Sequence, residues 1–283
     1  MTDARVVRVG LAQIDIRSLD APTNLARIEE VLDALRQDRP DLVVFPELSN
    51  IGQVGGRDAQ FGAEYAGLAE TLDGPFVRRI GELARAHACH VCVGLAEADE
   101  RISGLLYNTA IVVDAEGRLV LRQRKLHPAG EERHYFGPGS GVAVATTELG
   151  VLSVAICYDL YFPEVARASA LAGSELMIGI FNVTYRAEWP DRLAQLAAVR
   201  SYENMQHVVA LNRVGSQADR RFGGESAVAA PPGVVIHRAP ALEEHICCVE
   251  LDQAAVRRER AYRAVFADRR TDLYHPIHGG DVG

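Results

Sequence analysis

No apolar run in the 283 residues approaches the roughly 20 needed for a helix to cross a bilayer, so no membrane partner is expected. Basic residues do not cluster, and with a formal net charge of -8 they argue against nucleic acid as a partner. The opening "MTDARVVRVGLAQIDI" lacks the charged-then-apolar layout of a signal peptide. Five cysteines, an odd number without framework spacing, do not read as a disulfide scaffold; they fit a reducing compartment, and a cytoplasmic location is expected. Low-complexity blocks, Ser/Gly-rich linkers and short-period repeats are also missing, which points to one domain over residues 1–283.

What is present is an ordinary globular balance, 48% hydrophobic and 24% charged, with enough Gly and Pro to punctuate it. Short, mostly β-branched runs predict strands at "VVRVGLAQIDI", "DLVVFPEL", "CHVCVGLAEA", "YNTAIVVDA", "RLVLRQRKLH", "VLSVAICYD", "ELMIGIFN", "HVVALNRVG", "SAVAAPPGVVIH" and "HICCVELD". Hairpins are predicted around Asp114–Gly117 and around Pro231-Pro232-Gly233. Helices are predicted at "APTNLARIEEVLDALRQ", "PFVRRIGELARAHA", "FPEVARASALAG" and "EWPDRLAQLAAVRSYEN", each beginning near a Pro. Strands and helices that interleave, with hairpins in the second half, imply an α/β fold with a mixed sheet covered by helices.

Cys157 ends an apolar run, with Pro163-Glu164 opening a helix shortly after it. A thiol at a strand end is accessible, and a helix N-terminus or a cation can lower its pKa, although most free cysteines are simply small buried hydrophobes. In "RLVLRQRKLH", Lys125 shares a strand face with Leu119 and Leu121, so it points inward and needs a carboxylate, unless it snorkels from the strand end. Glu47 ends the apolar run "DLVVFPE", where functional groups of α/β sheets gather. A second acid, Glu131 or Glu132, lies in the loop "LHPAGEERHYFGPGS".

Together, "VVFPE", "RKLH", "EERHYFGPG" and "ICYDLYFPE" resemble the four signatures of the nitrilase superfamily of carbon–nitrogen hydrolases. The resemblance extends through "RVGLAQIDI", "YNTAIVVDAEGRLV", "VRSYENMQHVVALNRVG", "FGGESAVAAPPGVVI" and "DRRTDLY". It implies a four-layer α-β-β-α sandwich and catalytic residues Glu47, Lys125, Cys157 and a second glutamate. Glu132 is chosen for that place because the acid often stands four residues before the Phe of a "YF-x-PG" element, here Phe136; Glu131 stays open as the alternative. The resemblance further implies a homodimer or larger assembly, with residues 253–283 contributing to the contacts.

The chemistry implied is attack by Cys157 on the carbon of a small amide or N-carbamoyl compound, with ammonia released and a thioester left. Neither a metal nor an organic cofactor is expected. Nitrile-cleaving members usually carry Glu two positions after the cysteine; this chain has Asp159 there, as amidases do. Tyr161 stands where ω-amidase-like members have Arg, which weakens any transfer of their α-keto acid amide specificity. Tyr158, as an oxyanion donor, and Asn182, Tyr185, Arg186 and Trp189 of "FNVTYRAEWPD" are the candidate substrate-binding residues, with Arg186 a candidate carboxylate ligand. The competing readings are a nitrilase, a non-catalytic binding protein on the same scaffold, and a redox or zinc protein suggested by the CxxC of Cys89 and Cys92, with Cys247 and Cys248 completing a four-cysteine site. The last is disfavoured because residues at i and i+3 of a strand face opposite sides.

Overall fold

A computed structural model gives the fold, and it describes residues 5–56 and 58–274. The first half of the chain runs β1 (Val6–Gln13), α1 (Ala21–Ala34), β2 (Leu42–Val44), α2 (Ala59–Leu68), α3 (Pro75–His87), β3 (His90–Ala98), β4 (Leu106–Val113) and β5 (Leu119–Arg124). The second half runs β6 (Val144–Thr147), β7 (Gly150–Ile156), α4 (Pro163–Leu171), β8 (Leu176–Phe181), α5 (Arg192–Asn204) and β9 (His207–Asn212). After it come β10 (Ser216–Gln217), β11 (Arg220–Arg221), β12 (Ala227–Ala230), β13 (Val234–Arg238), β14 (His245–Asp252) and α6 (Gln253–Tyr262).

Two six-stranded sheets result, in the orders β14-β1-β2-β3-β4-β5 and β13-β12-β9-β8-β7-β6. Each has three parallel strands at its centre, β1-β2-β3 and β7-β8-β9, flanked by antiparallel ones. The central strands are buried along almost their whole length, as continuous apolar runs with covered faces must be. Val9, Leu11, Val44 and Val112 of one sheet pack against Val154, Ile156, Ile178 and Val209 of the other. On the outer face of the first sheet lie Ile28, Val31, Ile80 and Leu83 of α1 and α3. Val165, Ala166, Leu193 and Ala197 of α4 and α5 cover the second. The layers therefore run helix, sheet, sheet, helix.

Both hairpins form where the turn residues predict them, with Gly117 and Gly233 at positive φ. Helices α2 and α6 and strands β6, β10 and β11 lie outside the expected elements. The reason is visible in α2 and α6, which bury one and two residues respectively and so carry no apolar stripe to read. Residues 275–283 of the expected C-terminal contact segment lie outside the described residues. Within residues 253–274 the Arg260 guanidinium donates to the Met205 carbonyl and faces the Phe266 ring, while Tyr262 and Leu273 are exposed.

Candidate active site

Three of the candidate groups leave the sheets at the carboxyl ends of parallel strands: Glu47 after β2, Cys157 after β7 and Asn182 after β8. Backbone donors and loop side chains converge there in open α/β sheets. Lys125 follows directly after β5 and is only 1% exposed.

Cys157 is half-buried and adopts φ +51°, a left-handed conformation that non-glycine residues hold only when their surroundings impose it. The buried Asp159 carboxylate imposes part of it. It accepts N–H groups from Leu126 at 3.1 Å, His127 at 2.8 Å and Ile156 at 3.4 Å, and its partner on His127 Nδ1 is at 2.9 Å. One side chain thus ties the cysteine turn to the residues directly after Lys125. From the other side the Arg200 guanidinium donates to the carbonyls of Leu160 and Tyr161, both at 3.0 Å. Asp159, used above as a mark of amide specificity, has its hydrogen bonds spent on holding this turn.

Lys125 Nζ lies 2.7 Å from Glu47 Oε1 and 2.7 Å from Glu132 Oε2, and all three side chains are buried. Asn108 binds the group together: its carbonyl accepts the Lys125 N–H at 2.7 Å, while its amide donates to Glu47 at 2.7 Å and to Glu132 at 3.3 Å. Gln53 extends the network, donating to Glu132 at 3.2 Å and accepting from Asn182 at 3.1 Å. Glu47 is positioned by a close backbone approach. Gly94 N–H donates to the Pro46 carbonyl at 3.2 Å, Ser49 N–H to the Gly94 carbonyl at 2.7 Å, and a Cβ on Gly94 would stand 2.7 Å from Glu47 Cα.

Burial lowers the Lys125 pKa, but Glu47, Cys157 and Glu132 together outweigh it and hold the ammonium charged well above its ordinary range. Burial raises Glu47; Lys125 pulls it back, Glu132 pushes it up, and the net shift is upward. At Cys157, burial pushes the thiol up and Glu47 adds to that, with Lys125 and the Asn182 N–H offsetting only part. Glu47 Oε2, Asn108 Oδ1 and Asn182 Oδ1 are buried without a hydrogen-bond partner among protein groups.

Not every candidate joins this cluster. Glu131 pairs with Arg220, away from Lys125, and Glu132 is the loop acid that reaches the ammonium. Tyr185 is partly exposed, Trp189 is half-exposed, and Arg186 reaches out to Glu188 at 3.4 Å. Tyr158 packs edge-on against Phe162 at 5.1 Å and lines a cleft of about 380 Å³ with His127, Pro128, Arg133, Phe136 and Pro138; none of the four central residues lines it. Asn108, Gln53 and the clamp role of Asp159 were not anticipated. Only the position of Asn108 in a strand-like run hinted at a polar residue between sheets.

Cys89 and Cys92 point to opposite faces of the first sheet, Cys92 into the inter-sheet core and Cys89 towards α1 and α3. Cys247 and Cys248 diverge in the same way. The four cysteines therefore form no common site.

A buried ammonium between two carboxylates, beside a thiol on a strained turn, is a site for nucleophilic acyl chemistry in which the cation meets developing negative charge. The carbon-nitrogen hydrolase family model matches residues 8–261, and the chain belongs to that family: it is a carbon–nitrogen hydrolase. A probable nitrilase of Schizosaccharomyces pombe is 32% identical over 270 residues, 94% of this chain and 96% of that one. An (R)-stereoselective amidase from a Pseudomonas species is 33% identical over 270 residues, 94% of this chain and 93% of its own length. Among solved structures, an amidase of the nitrilase superfamily from Nesterenkonia sp. AN1, in a variant form, matches with a TM-score of 0.81 and 25% identity over 96% of this chain and 97% of that one.

Proposed function

We propose that the protein hydrolyses a small amide or N-carbamoyl compound through a thioester on Cys157, releasing ammonia. The observation that carries this reading is the Lys125 ammonium held at 2.7 Å from both Glu47 and Glu132, at the end of the sheets where Cys157 turns. Glu47 uses Oε1 for Lys125 and Asn108, which leaves Oε2 to take the thiol proton. The sulfur then bonds to the substrate carbon, and the oxygen's negative charge is met by Lys125 and the Tyr158 backbone N–H. Glu47 returns the proton to nitrogen, the C–N bond breaks and ammonia leaves. A water, deprotonated by the same carboxylate, attacks the thioester and frees Cys157.

Glu132 has a different task. With Oε2 on Lys125 and the Ala129 N–H at 2.9 Å, it fixes the ammonium while Gln53 and Asn182 link it to the end of β8. Arg186 and Trp189 sit in exposed positions and contribute no contact to the central cluster.

The test is a matched pair, the primary amide and the nitrile of one acyl group, followed by ammonia release. The amide is expected to turn over at least about tenfold faster in kcat, because its tetrahedral oxyanion draws on Lys125 in the transition state. Rapid quenching with mass analysis should catch an acyl group on Cys157. Equal or faster turnover of the nitrile overturns the amide preference, and an unlabelled Cys157 during turnover overturns the thioester.

A further inference from the structure

His237, His245 and Cys247 bring two imidazole nitrogens and a sulfur within 4.8 Å of one another. Among the described residues, no other group of three or more His, Cys, Asp or Glu side chains gathers this tightly. We propose that these three side chains form a Zn²⁺ site that joins the edge strands of the two sheets.

The strands explain the convergence. His245 and Cys247 stand two apart on β14, so they share a face, the one that carries Val249 and Leu251 into the inter-sheet core. On β13, Val234, Ile236 and Arg238 are exposed while Val235 and His237 are half-buried, so His237 turns towards the same space from the other sheet. β13 and β14 are edge strands, one in each sheet, and no ladder hydrogen bonds join them. Cys157 follows β7, four strand spacings from β13, which is about 19 Å.

The donor geometry suits a tetrahedral ion. Zn–S and Zn–N bonds of about 2.3 and 2.05 Å at the tetrahedral angle place S and N about 3.6 Å apart. Cys247 Sγ lies 3.5 Å from His237 Nε2. A thiol–imidazole hydrogen bond would account for that pair alone. It does not account for His245, whose ring stacks on His237 with centroids 5.4 Å apart while its Nε2 is buried without a hydrogen-bond partner. A second imidazole nitrogen within 4.8 Å of the other two donors is what a metal needs and a hydrogen bond does not. Two imidazoles and a thiol select a borderline ion over the oxygen-seeking Mg²⁺ and Ca²⁺, and three half-buried ligands leave a fourth position for water. The site serves to hold the sandwich closed along this edge, separately from the hydrolysis.

Metal binding should expel the Cys247 proton and stabilise the folded chain, since unfolding disperses the ligands. The full chain, freed of metal with a chelator, is titrated with Co²⁺ and then Zn²⁺. One equivalent of Co²⁺ should produce a thiolate charge-transfer band and tetrahedral d–d bands, which Zn²⁺ then bleaches. Zn²⁺ should also raise Tm. The band should persist in Cys157→Ala and vanish in Cys247→Ser, while His237→Ala, which leaves the core cysteine in place, should weaken binding at least tenfold. Absence of the band, its survival in Cys247→Ser, or its loss only in Cys157→Ala would each overturn the proposal.

Discussion

An ammonium with almost none of its surface in water survives only beside compensating charge, and Lys125 has two carboxylates within hydrogen-bonding distance. This separates the two neighbouring loop acids. Glu132→Gln should cut the single-turnover acylation rate by about two orders of magnitude, the scale on which an electrostatic partner of the reacting centre acts. Glu131→Gln, which releases only Arg220, should change it less than about threefold. The reverse order would move the second acid by one position. Asn108 offers a test of the base. Its hydrogen bond lowers the Glu47 pKa, which burial otherwise raises. Glu47 must be ionised to accept a proton, so kcat/KM falls as pH drops through that raised pKa. In Asn108→Leu the lost donor should carry the acid limb to higher pH; an unmoved or lower limb would exclude Glu47 as the titrating base.

At the scale of elements, the site depends on backbones that come unusually close. Gly94 of β3 lies against the chain that carries Glu47, where a methyl group would meet Leu48 N at 2.6 Å. Gly94→Ala must therefore push Glu47 away from Lys125 or distort β3. Loss of about 2 kcal/mol in stability and at least tenfold in kcat is expected, because a displacement of about 1 Å at a reacting group is costly. Denaturant unfolding and steady-state rates on one preparation check both; wild-type values for each would mean that the approach has slack. Asp159→Asn probes the clamp on the cysteine turn. It keeps the shape but turns an acceptor of several N–H groups into a mixed donor and acceptor, so kcat should fall with little change in KM. A change confined to KM would instead place Asp159 in substrate recognition.

The whole molecule is held as two sheets, and polar side chains stitch them at the end where the site lies. Arg213, fully buried after β9, donates to Asp15 Oδ1 at 2.7 Å beyond β1, and Gln13 accepts from Ser226 Oγ at 2.7 Å. Asp15→Ala leaves a buried guanidinium without its counter-charge. A loss of about 3 kcal/mol is expected, which lowers Tm by roughly 6–12 °C at this chain length. Removing the exposed Arg270–Asp272 pair should move Tm by no more than about 2 °C. Thermal unfolding of the two variants side by side checks the contrast.

Much of this was legible in the order of the residues. Period and punctuation marked most of the strands and the helices α1, α3, α4 and α5, because burial on both faces of a strand and Pro or Gly at element ends act locally. Four spaced motifs singled out Glu47, Lys125 and Cys157, and the inward register of Lys125 required a carboxylate partner before any was located. What local pattern could not carry is which groups meet. Glu131 and Glu132 are adjacent and chemically alike; the turn of the loop sends one to Arg220 and the other to Lys125. Arg186 and Trp189 looked well placed by sequence and end in exposed positions, while Asn108 and Gln53, from distant segments, complete the network. The direction of the Cys157 shift also reversed. The sequence shows the helix that follows, but the burial that raises the thiol is a property of the packed sandwich. Local chemistry chose the elements and marked Cys157 as a candidate, and only tertiary packing, which sets desolvation and long-range charge, decided which groups meet.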